Sequence, residues 1–171
     1  MADKTLHDML LAELQDLHSA ERQLTRGLPK MAKAATNPEL KKGFESHLEQ
    51  TREHVQRLDE VFAALGSKAK LRGKKCEAME GLLEEADEIL DEGLEPAALD
   101  SALICAAQKV EHYEIASYGT VVAWVKAMGH QEALAPLEAT LKEEKETDIL
   151  LTKAAEKINK EAAKIAHPKA A

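Results

Sequence analysis

The sequence predicts an all-α chain: a four-helix bundle of two helical hairpins joined by a long crossover that carries an extra helix. Three observations lead there. Aromatic residues are only 3% of the 171, while Leu, Ala, Glu and Lys abound, a composition that favours helix and gives a sheet little to pair. Apolar residues recur at steps of three and four along four long segments. Two of the connections between those segments are short, and the third, 66–95, is long.

Thr5 followed by Asp8 marks the first helix start, and the pattern runs to Gly27 and Pro29, where a stop is expected. Asn37 then Pro38 supplies an N-cap and a proline at the first helical position; this second helix continues to about Leu65 and ends at Gly66. Pro96 opens the third, which Gly129 closes. The fourth runs from Gln131 to about Lys160, with Pro136 kinking or restarting it near its beginning. Within the crossover, 76–92 reads as a helix with Met79, Leu82, Leu83, Ala86, Ile89 and Leu90 on one face. A frayed tail is expected over about 161–171, and the whole of 1–171 reads as a single domain. Two short links plus one long crossover is the ferritin-like arrangement.

The formal net charge of −8 argues against a general nucleic-acid binder, since no cationic excess is available to neutralise phosphates. The one basic run, Lys68 to Lys75, reads as a solvated loop. The N-terminus lacks the layout of a secretory signal, and no stretch approaches a membrane span. Cys76 and Cys105 form no CxxC pair and suit buried thiols in a reducing, cytoplasmic setting.

Acids interrupt the apolar stripes. On the first helix Leu6, Leu10, Leu14, Leu17, Glu21, Leu24 and Leu28 share a face, so Glu21 stands where a leucine belongs. On the third, Glu111 and Glu114 lie between Leu103, Ala107, Val110 and Val121, Val125; on the fourth, Glu144 and Asp148 interrupt Leu137, Leu141, Leu151 and Ile158. An unpaired buried carboxylate costs several kcal/mol, so five facing one interior need compensation. Protonation of some would supply part. Two divalent cations would supply four positive charges, and oxygen-rich sites with a few imidazoles suit iron or manganese. On the second helix His47, Gln50 and His54 lie along one edge of the apolar face, His54 being the best imidazole candidate. Glu49 and Glu53 are rotated outward but remain within reach of a small helix rotation, and His18, one turn before Glu21, is a further ligand or partner candidate. Tyr118, one turn past Glu114, could hydrogen-bond a ligand or pack in the core.

The segments SAERQLTRGLPKMAKA (19–34), CEAMEGLLEEA (76–86), QKVEHYEIASYGT (108–120) and TLKEEKETDILL (140–151) resemble the YciF-type bacterial stress proteins, a ferritin- and rubrerythrin-related family. The resemblance covers nearly the whole chain and implies a ferritin-like bundle, a homodimer and a di-metal centre. Related di-iron proteins place one Glu on the first helix, ExxH on the second, Glu or ExxE on the third and ExxH on the fourth. Glu21 matches the first, and Glu111 with Glu114 the third. On the fourth helix Thr147 stands where the His is expected, leaving Asp148 as substitute; on the second Glu49 is followed by Arg52, Gln50 stands where relatives carry Glu, and His54 is left to make up the ligand.

The expected function is that of a cytoplasmic di-metal stress protein, with two iron ions (or manganese), oxidoreductase or peroxide-consuming activity, and a separate protein as electron donor. The alternatives are a non-enzymatic metal-binding or structural bundle acting through dimerisation or a partner, and, behind it, an iron-storage shell.

Overall fold

A computed structural model describes residues 3–66 and 73–164. Five α-helices follow one another: α1 (Leu6–Ala34), α2 (Pro38–Ala64), α3 (Glu77–Asp91), α4 (Pro96–Met128) and α5 (Gln131–Ala162). The starts form as the local chemistry dictates. Thr5 accepts from Asp8 N while the Asp8 carboxylate accepts from Thr5 N, a closed capping box. Asn37 Oδ1 accepts from Glu39 N and Leu40 N ahead of Pro38. Gly66 and Gly129 take positive φ at the ends of α2 and α4, where a Cβ would be strained.

Three expectations fail. Helix α1 does not stop at Gly27 and Pro29 but continues to Ala34. Burial of Leu28, Met31 and Ala32 outweighs the local cost of the proline, and Gly27 leaves room for the Leu83 side chain of α3, which a Cβ would meet at 2.6 Å. Cys105 is exposed on the outer face of α4, unlike Cys76, which is buried. Pro136 does not restart the last helix: α5 is continuous through it. The basic run falls mostly, and the tail partly, outside the described residues.

The hairpins α1–α2 and α4–α5 pack side by side, α1 against α4 and α2 against α5. Asp100 of α4 fastens the α1–α2 link, accepting from Thr36 N at 2.7 Å and Asn37 N at 2.8 Å. Helix α3 lies on α1 and α4. Its N-cap, Cys76, donates its N–H to Ser19 Oγ, and its carbonyl accepts from Gln23. The Cys76 thiol sits 3.0 Å from the Tyr113 hydroxyl, which donates to Asp16.

The core is in two parts. One contains Leu10, Leu14, Leu17, Leu58, Val121 and Leu137; the other contains Leu24, Leu28, Phe44, Leu103, Val110 and Leu151. Each of the four long helices passes through both parts, and between them each contributes polar side chains to a buried layer.

Candidate metal centre

That layer holds Glu21 from α1, His47 and His54 from α2, Glu111 and Glu114 from α4, and Glu144 from α5, all essentially inaccessible to solvent. Four carboxylates and two imidazoles therefore meet where the apolar stripes are interrupted. They fall into two overlapping groups. One ligand atom from each of His47, Glu111, Glu114 and Glu144 lies within 4.8 Å of the others, and the same holds for Glu21, His54 and Glu144. Glu144 belongs to both.

The contacts are close but poorly shaped for direct hydrogen bonding. His47 Nε2 is 3.0 Å from Glu111 Oε1, and His54 Nδ1 is 2.9 Å from Glu144 Oε1 and 3.4 Å from Glu21 Oε1. Yet both nitrogens of His47, Nδ1 of His54, both oxygens of Glu114 and Glu144, and Oε2 of Glu21 and Glu111 lack a hydrogen-bond partner among the described residues. Buried polar atoms are ordinarily satisfied. Donor atoms about 3 Å apart are the edges of a coordination polyhedron whose metal–ligand bonds are about 2.1 Å. The donor set therefore fits a pair of divalent ions: four negative charges oppose four positive ones, with oxygen predominating over nitrogen and no thiolate.

Around this set, other side chains hold the ligands in place. Tyr118 donates to Glu21 Oε1 at 2.6 Å. His54 Nε2 meets Glu143 Oε2 at 2.9 Å, and Glu143 is held in turn by Arg57, whose Nη1 also donates to Thr140. A carboxylate on the outward nitrogen of a histidine fixes its ring and tautomer for a metal on the other nitrogen.

Without metal, protons take over part of the compensation. Burial, followed by the charges of Glu21, Glu144 and Glu111, drives Glu114 well above the ordinary carboxylate range. Burial pushes Glu111 up to about 8 and raises Glu21 and Glu144. Burial alone would neutralise His54, but contact with Glu144 and Glu21 outweighs it and holds its pKa at about 11. His47 is lowered by its burial, leaving a neutral imidazole with free lone-pair capacity. Arg57 holds Glu143 below the usual range.

Of the sequence candidates, Glu21, His54, Glu111, Glu114 and Glu144 come together. Asp148 does not: four residues past Glu144 it has rotated to the α4–α5 edge, where it accepts from Gln108 at 3.0 Å and lies 3.3 Å from His112. Glu49 and Glu53 point to solvent and pair with Arg52 and Arg57. Gln50 is half-buried beside His47, outside both ligand groups. His18 is buried next to Asp59, with Nε2 at 3.5 Å, away from the cluster. His47 takes the place these leave. Its signal was its position seven residues before His54, two turns up the same face.

Comparison with known proteins places the chain among relatives. It is 47% identical over 160 residues to Protein YciF of Escherichia coli K12, across 93% of this chain and 96% of that one. The crystal structure of the E. coli stress protein YciF superposes with a TM-score of 0.88 at 46% identity, over 92% of this chain and 99% of that one. The Rhodopseudomonas palustris protein YcfI, whose description offers a structural role, does so with 0.83 at 45%, over 87% and 94%. The sequence profile of a family described as a domain of unknown function, DUF892, matches residues 5–164, and the chain belongs to that family.

Proposed function

We propose that this chain is a ferritin-like di-metal carboxylate protein of the bacterial stress response, binding two iron ions, with manganese the alternative, and consuming peroxide or performing a related oxidation. The observation that carries it is the sharing of Glu144 between two buried ligand groups that together hold four carboxylates and two imidazoles. His47, Glu111 and Glu114 would hold one ion, Glu21 and His54 the other, and Glu144 both. When bound, a ferrous pair would supply two electrons and open coordination positions to a peroxide. The protein's own part is positional. Glu143 and Arg57 keep the His54 ring aligned, Tyr118 orients Glu21, and the two apolar parts of the core exclude bulk water above and below. The protein acts in the cytoplasm as a homodimer, with electrons delivered by a separate protein.

Metal analysis after anaerobic loading, with anomalous scattering from a crystal, tests the reading. About two ions per chain, at the two ligand groups, are expected; fewer than one would sink it. Peroxide-dependent oxidation of the ferrous protein should be lost in Glu114→Ala. The second reading, a structural bundle that acts through dimerisation or a partner, draws on the role offered for the Rhodopseudomonas relative. Full metal loading with no peroxide reactivity would favour it.

A further inference from the structure

The six ligand side chains are not equally deep. Glu21, His54, Glu114 and Glu144 are 0% exposed, whereas His47 retains 4% and Glu111 1%. Those two also line a groove of about 560 Å³ between α2 and α5. Beside them its walls are polar: Gln50, one turn past His47 on α2, and Thr147, one turn past Glu144 on α5, both line it and are half-buried. Both nitrogens of His47 and Oε2 of Glu111 lack a hydrogen-bond partner among the described residues, so no described group caps them against an arriving ion. The lysines of the groove, Lys42, Lys153 and Lys157, are exposed and stand five or more residues along either helix from His47 and Thr147. The charges at the polar end are therefore those of the buried acids. The far end of the ligand set is closed. Tyr118, itself 0% exposed, donates to Glu21, and His54 is backed by Glu143 and Arg57. Helix α3 lies over the α1–α4 flank.

We propose that metal ions enter along the α2–α5 seam past Gln50 and Thr147, filling the group of His47, Glu111 and Glu114 first and the Glu21 and His54 group through it. This rests on the di-metal reading and adds an order to it. Glu144 belongs to both groups, and neither of its oxygens is hydrogen-bonded among the described residues, so it is the carboxylate that passes an ion from the first group to the second. The two ions are then unequal: the one at His47 exchanges with solvent, and the one at Glu21 and His54 leaves only after it.

Stopped-flow loading of the metal-free full-length chain with cobalt(II), followed by its visible absorption, tests this. A fast and a slow phase are expected, ending at about two ions per chain. Thr147→Trp, which narrows the seam, should slow both phases by at least about tenfold with the final stoichiometry unchanged, because ions must then wait for a local opening of the fold. In a Cys105→Ser background, Ser46→Cys carrying a bulky maleimide should do the same. That label is added to the folded chain, and Cys76 is buried, so the result does not depend on how a tryptophan packs. Glu21→Ala should remove the slow phase and spare the fast one. Unaltered rates in the labelled protein, or loss of the fast phase in Glu21→Ala, overturn the proposal; two ions on the unaltered chain would leave the metal reading standing. Fewer than one ion on the unaltered chain removes both.

Discussion

The two broad flanks of the bundle are built differently. On the α1–α4 flank, α3 lies across both helices and buries Met79 and Ala86 against them, its start tied down through Cys76, Ser19, Gln23 and Tyr113. On the α2–α5 flank no helix covers the seam among the described residues, Ile149 and Leu150 are exposed, and a groove reaches His47 and Glu111. The buried acids between the flanks are thus sealed on one side and approached on the other. One flank contributes stability and the other contributes access.

Mutations can break or sharpen that contrast. The largest expected effect is at the shared ligand: Glu144→Ala should take bound metal from about two ions to fewer than one per chain, since a ligand to both sites is lost. Inductively coupled plasma analysis measures it, and retention of both ions would refute the bridging role. On the sealed flank, Met79→Ala should destabilise by about 2–5 kcal/mol in denaturant unfolding, the cost of a cavity in a packed core. Metal content should survive it. Glu143→Gln, just outside the ligand set, should weaken metal binding by about 10–100-fold. Competition with a chelator reads this, and an unchanged affinity would show that His54 needs no carboxylate behind it. On the open flank, Leu150→Ser should shift stability by less than about 0.5 kcal/mol.

The acids also make stability depend on pH. In the metal-free fold Glu111 titrates at about 8 against 4.5 for the ordinary group. Between those values the folded chain binds more protons than the unfolded chain, so stability falls as pH rises from about 5 to about 8. Glu21, Glu114 and Glu144 shift the same way. His54 adds the same sign: its contribution is present in full below 6.5 and is lost as pH rises through about 11. Metal binds the deprotonated acids, so saturating manganese should flatten or reverse the slope. Thermal melts with and without metal check this; a metal-free melting temperature that rises over the window would contradict a proton-compensated site.

The sequence by itself determined the helices and most of the acids. Thr5, Asn37, Gly66 and Gly129 act within a turn or two of chain, so their effect is legible without a partner. Glu21, Glu111, Glu114 and Glu144 stand in stripes whose burial is fixed by periodicity, and an acid where a leucine belongs is visible before any packing is known. Tertiary structure decided the rest. Burial of Leu28 and Met31 carried α1 through Pro29, against a local stop signal. Rotation over one turn put Asp148 at an edge, with Gln108 and His112 as partners that a single stripe cannot reveal. His47 lies at the margin of its apolar face, and only the approach of α4, bringing Glu111 to 3.0 Å, makes it part of the centre. A stripe says which way a side chain points to within about one residue step on the helix. What it meets there depends on helices far away in sequence, and for these ligands that meeting is what makes a site.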